Sequence, residues 1–138
     1  MSEGWRTFDH TGDLGLEVWA ASPQRLYARA AIALSAQMVE PPSAAATLEV
    51  TLALAGTDAA DLLVHWLNSS LAEAEVRGAA WTAAEVSLAA GALTGTLAGV
   101  PRDRARQVFL REVKAVSHHA LELDLTPGRC RCRLILDL

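Results

Sequence analysis

The chain has 138 residues, 51% of them hydrophobic, which fits one globular domain spanning 1–138 and burying roughly two-thirds of its unfolded surface. A formal charge of −4 disfavours unaided binding of nucleic-acid phosphates, which draws on clustered Lys and Arg. No stretch reaches the ~18 consecutive apolar residues of a membrane helix and the N-terminus lacks an apolar signal core, so a soluble cytoplasmic protein without membrane contact is expected.

In chain order, the first dense group of functional side chains is Phe8-Asp9-His10-Thr11-Gly12-Asp13-Leu14-Gly15. It combines two carboxylates, an imidazole, a hydroxyl and two glycines. Leu14, Leu16 and Val18 then alternate with Gly15, Glu17 and Trp19, the period of a half-buried strand, so the polar group sits at a strand mouth. Gly12 and Gly15 permit a sharp turn or a close approach of another segment. Asp13, where turn becomes strand, is placed to meet a ligand.

Ser22-Pro23 opens a helix, with Ser22 as N-cap and Pro23 at the first helical position. The helix extends to about Gln37, with Leu26, Ala30, Ala33 and Leu34 on the stripe facing a sheet. A strand from Leu48 to Leu54 follows. Thr57 or Asp58 caps a second helix through Leu62, Leu63, Trp66, Leu67 and Leu71, closed by Gly78. Asp61, His65 and Asn68 read as its solvated face. Residues 81–88 and 93–100 alternate around Ala90-Gly91 as a hairpin. The charged segment 101–106, with Arg102, Arg104 and Arg106, reads as a solvated loop or a docking patch.

From Phe109 the sequence is strand-like again and carries Val113 to Leu121, with His118 and His119 pointing to opposite faces of a regular strand and therefore not sharing an ion. Thr126-Pro127-Gly128 is a turn. In the last strand Cys130, Cys132, Leu134 and Leu136 share one face, with Arg129, Arg131 and Arg133 on the other. The spacing of Cys130 and Cys132 suits buried reduced thiols. The four tryptophans, Trp5, Trp19, Trp66 and Trp81, are expected as large core anchors. The fold class is α+β, a two-layer arrangement with a mixed or antiparallel sheet of about six strands and two helices on one face.

If the last strand lies beside the strand that begins at Leu14, Asp13 meets Asp137 and the α-carboxylate of Leu138. An all-oxygen set of this kind suits Ca²⁺, Mg²⁺ or Mn²⁺ rather than zinc. No phosphate loop of the G-x-x-x-x-G-K type, no G-x-S-x-G elbow and no H-E-x-x-H helix is present, so no catalytic motif is expected. An independent metal-dependent phosphoesterase, with His10 or His118 as acid or base, is the alternative. A chaperone-like binding module is a third.

The segment Asp9 to Gly15 resembles the D-H-T-A-D-I-G opening of the archeases, Lys114 to Leu121 resembles their K-A-V-T-Y-H-x-L segment, and Ile135-Leu136-Asp137-Leu138 resembles their ending. The sequence departs from that pattern at Gly12, Ser117 and His118. The resemblance implies a protein that activates an RtcB-type RNA ligase, promoting its guanylylation and multiple turnover in tRNA splicing or RNA repair, and meeting RNA only through the ligase. It also implies a divalent ion, Ca²⁺ before Mg²⁺ or Mn²⁺, at Asp13, Asp137 and Leu138. Lys114 is then a contact to the partner or to phosphate, and Asp9, His10 and Thr11 form a supporting shell.

Overall fold

In a computed structural model, residues 2–138 are described. The strands are β1 (Gly4–His10), β2 (Asp13–Ala20), β3 (Leu48–Ala55), β4 (Ala79–Ala89), β5 (Ala92–Pro101), β6 (Ala115–Asp124) and β7 (Cys130–Asp137); the helices are α1 (Pro23–Met38) and α2 (Ala59–Arg77). The architecture is α+β with antiparallel pairing throughout, as expected. The strands number seven and divide into two sheets, ordered β1-β2-β7-β6 and β3-β5-β4. Each helix touches strands of both sheets.

Local signals account for the helices. Ser22 Oγ accepts the Arg25 N–H at 3.2 Å and Pro23 fills the first turn, where its missing N–H costs nothing. Asp58 Oδ1 accepts the Asp61 N–H at 2.8 Å, and Gly78, at φ 60°, takes the left-handed cap that ends α2. β4 and β5 are joined by Ala90-Gly91, with Gly91 at φ 69°.

The core forms where the two helices pack against strands of both sheets. Leu16, Val18, Cys132, Leu134 and Leu136 enter it from β2 and β7, and Leu26, Leu34, Leu63 and Leu67 from the helices. Trp66 and Trp81 are buried as expected. Their indole N–H groups donate to Tyr27 O at 2.9 Å and Ser70 O at 3.0 Å. Trp5 is only half-buried against the core, beneath Arg29, and Trp19 lies on the far face of its strand. Trp5 is not a full core anchor because β1 is an edge strand, and Trp19 is not one because it alternates with the buried Val18 and Ala20 on the other face of β2. Cys130 and Cys132 are free, buried thiols, and burial pushes Cys132 up to about 12.

The outer face of the four-stranded sheet carries a row of alternating charge. Arg6, Glu17, Arg133 and Glu122 are successive cross-strand partners, with contacts of 3.1, 3.1 and 3.0 Å. Arg133 also covers the Phe8 ring at 4.2 Å. It is therefore neutralised within the sheet, not offered with Arg129 and Arg131 as a free basic face.

The chain before β1 is tied down by Glu3, whose carboxylate accepts from Arg25 at 2.6 Å and Arg29 at 2.9 Å. Hydrogen bonding from Arg25, opposed by desolvation, lowers Glu3 from 4.5 to about 2. A depressed carboxylate contributes stability that is present above the unfolded value of 4.5 and lost as pH falls toward about 2. Glu3→Gln should lower stability at pH 7, and the gap to wild type should close across that window. Urea titrations at stepped pH measure the gap; a constant difference would show that the Glu3 charge is irrelevant.

Candidate functional site

β2 and β7 are direct neighbours, so the pairing expected from sequence is present. Their register runs from Ala20↔Cys130 to Leu14↔Leu136, its last pair, and Asp13 and Asp137 are the next residue of each strand. His10 pairs with Asp13, and Ala115 pairs with Asp137. His10, Asp13, Asp137 and Ala115 thus lie in one row across this end of the four-stranded sheet.

Sequence explains why the row is polar and reachable. Thr11-Gly12 makes the turn between β1 and β2, with Gly12 at φ 74°, a conformation that costs an alanine roughly 1–2 kcal/mol. Gly15 permits the close approach anticipated for it: a Cβ there would lie 2.2 Å from the Phe8 ring. Phe8 thereby lies across the main chain of β2. Beyond it the row opens to solvent, with Asp13 and Asp137 partly exposed.

His10 Nδ1 lies 3.8 Å from Asp13 Oδ2, is buried, and has no hydrogen-bond partner among the described residues. An unsatisfied buried polar atom costs about 1–3 kcal/mol, so the row is more polar than packing alone requires. Asp9 and Thr11 are exposed at the turn. Leu138 follows β7 and is exposed. The Lys114 N–H donates to Asp137 O at 2.8 Å, which brings that lysine to the same end of the sheet. Among the described residues no three His, Cys, Asp or Glu side chains converge as a ligand set. The carboxylates of Asp13 and Asp137 are oxygen donors, and that chemistry fits a hard divalent ion.

The two adjacent histidines do diverge, though not as on a regular strand. His118, His119, Ala120 and Leu121 stand against Leu134 alone, and Ala120 has φ 55°. This bulge sends the His119 ring edge-on toward His10, with centroids 6.4 Å apart. His118 Nε2 comes within 3.6 Å of Asp61 Oδ1 on α2. The side chain at 118, a tyrosine in the archease pattern, thus contacts a helix, whereas His119 closes one side of the row.

Asn68 is the positioning residue that the sequence reading placed on a solvated face. Its amide donates to Val116 O at 3.0 Å and its carbonyl accepts the Val116 N–H at 2.8 Å. A helix side chain thereby completes the open edge of β6, beside Lys114 and Ala115. The available signal was an amide among the apolar residues Leu63, Leu67 and Leu71. Asn68→Ala should cost about 1–3 kcal/mol and speed exchange of the Val116 amide. Unchanged exchange in deuterated buffer would remove this role.

A sequence profile of the Archease protein family (MTH1598/TM1083) matches residues 5–138. The protein archease of Methanopyrus kandleri is 30% identical over 138 residues, covering 97% of this chain and 99% of that one. That of Pyrococcus furiosus is 23% identical over 97% and 98% of the two chains. Protein 1598 of Methanobacterium thermoautotrophicum, solved in solution, superposes with a TM-score of 0.80 at 26% identity, covering 98% and 99%. The crystal structure of a Thermotoga maritima archease, described as a possible chaperone, gives 0.65 at 16% identity over 96% of each chain, a likeness of fold. Profile, relatives and fold agree over nearly the whole length with the motifs at Asp9–Gly15, Lys114–Leu121 and the final strand: the chain belongs to the archease family.

Proposed function

We propose that this archease activates an RNA ligase of the RtcB type in the cytoplasm, promoting its guanylylation and its multiple turnover in tRNA splicing or RNA repair. The observation that carries the reading is the row that sets Asp13 against Asp137 with Lys114 beside it. In this reading Asp13, Asp137 and the carboxylate of Leu138 hold a divalent ion, Ca²⁺ or else Mg²⁺ or Mn²⁺. Such an ion supplies positive charge toward phosphate oxygens. Phe8 and the Thr11-Gly12 turn fix where Asp13 stands. His10 and His119 line the row's flank, and Lys114, exposed and outside every ion pair among the described residues, meets phosphate or an acidic ligase surface. The chain acts on the ligase and not as a catalyst of its own.

The test is ligation of RNA ends carrying a 2′,3′-cyclic phosphate, with substrate in excess over an RtcB-type ligase, GTP and Mn²⁺. Product beyond one turnover per ligase should require the chain. Equal yield with and without it would end this reading. Phosphodiester hydrolysis by the isolated chain, abolished by Asp13→Asn, would establish the phosphoesterase instead. Among the described residues no helix is long and apolar enough to cross a membrane.

A further inference from the structure

An open groove of about 950 Å³ lies between α2 and the segment 102–114, and Lys114 is among the residues that line it. Main-chain bonds hold that segment against the end of α1: Glu40 N–H to Val108 O at 2.9 Å and Leu110 N–H to Met38 O at 2.8 Å. The groove is therefore part of the fold and not a gap beside a loose loop. The charged connection 101–106 supplies part of its wall.

Four cations line it: Arg102, Arg104, Arg111 and Lys114. Two are committed to the fold. Arg102 donates to Ala79 O at 2.9 Å and approaches Glu75 at 3.8 Å, and Arg111 donates to Gln37 O at 2.7 Å. Arg104 and Lys114 join no ion pair among the described residues, whereas the opposing carboxylates in the wall are Glu75 and Glu112. A chain of net charge −4 thus concentrates positive charge in one groove. Its remaining lining is largely apolar, and Leu110 and the neighbouring Val108 are 44% and 53% exposed.

We infer that this groove docks a protein segment carrying both acidic and apolar side chains. The inference rests on the activator reading, because it makes the segment part of the ligase that the chain serves. Charge complementarity requires carboxylates opposite Arg104 and Lys114, and the apolar lining requires aliphatic or aromatic side chains between them. Single-stranded RNA suits the groove less well. The exposed face that would stack a base, that of Phe109, is covered by the Arg104 guanidinium at 4.3 Å. Because Lys114 lines the groove and its main-chain N–H donates to Asp137 O, a segment seated there lies beside the end of the sheet that carries Asp137.

The experiment measures binding of fluorescently labelled archease to the intact ligase, and activation at saturating archease, for wild type, Arg104→Glu, Leu110→Asp and Arg129→Glu. Arg129 lies at the opposite end of β7 and gives the same charge change away from the groove. Arg104→Glu and Leu110→Asp should each weaken binding by about tenfold, the scale of a lost interface anchor, and keep full activation once saturated. Arg104→Ala should give a smaller loss in the same direction, and Arg129→Glu should bind within about twofold of wild type. Binding by both groove variants within twofold of wild type overturns the docking site and leaves the activator reading standing. A single-stranded RNA that binds the isolated chain in an Arg104-dependent way also overturns it. Failure of wild type to bind the ligase overturns both.

Discussion

In the Asp13→Ala variant, multiple-turnover ligation by an RtcB-type ligase should fall to the level seen without the protein, while the variant stays folded. Two features separate function from stability here. Asp13 stands at the start of β2, partly exposed, and its one ion-pair contact among the described residues is His10 at 3.8 Å, a long approach between side chains 35% and 33% exposed. Exposed pairs of this kind contribute roughly 0–1 kcal/mol, so the change in melting should be small. The loss of a carboxylate opposite Asp137, by contrast, removes one of the two side-chain oxygen donors of the row. Asp13→Asn keeps the shape and removes the charge, and should fail similarly. Turnover assays with circular dichroism melts decide the matter: normal activation by a folded Asp13→Ala protein would exclude the row from function.

The largest stability loss is expected from Trp66→Ala. Trp66 is fully buried on α2, its N–H donates to Tyr27 O on α1, and its ring lies over Gly95 of β5, where a Cβ would come within 2.5 Å. One side chain therefore joins both helices to the three-stranded sheet. Truncating a buried aromatic costs about 3–5 kcal/mol, and the stranded Tyr27 carbonyl adds about 1–3 kcal/mol. Against a typical total of 5–15 kcal/mol, much or all of the stability is removed. Urea unfolding followed by far-UV circular dichroism should show a collapsed or absent native baseline. A loss below about 1 kcal/mol would mean that the ring does not bind these layers together.

Several elements were legible because their signals are local. Ser22-Pro23, Asp58 and Gly78 mark helix ends through bonds made within a few residues, and the Ala90-Gly91 hairpin needs only its own turn. β1 was not legible. Gly-Trp-Arg-Thr-Phe-Asp-His shows no clean alternation, because an edge strand half open to solvent is not required to bury one face. The division into two sheets also escaped, since strand partnership is decided by packing between distant segments. The nearness of Asp13 and Asp137 is readable only as a conditional: the motifs name the residues, and the pairing of β2 with β7 brings them to one end of the sheet. Asn68 was misplaced because helix periodicity says nothing about an open strand edge alongside. The sequence pattern at His118-His119 implies a regular strand, which the left-handed Ala120 interrupts.

The position of β7 has a kinetic consequence. It enters between β2 and β6, although β2 closes at Ala20 and β7 opens at Cys130. β6 and β7 pair as a local hairpin, but until that hairpin docks, β2 presents an unpaired edge to solvent, and a pairing this remote in sequence forms slowly. A nascent or truncated chain lacking β7 is then a template for edge-to-edge aggregation. The carboxylate row comes into being with that same late pairing, so only a chain that has finished folding can display it.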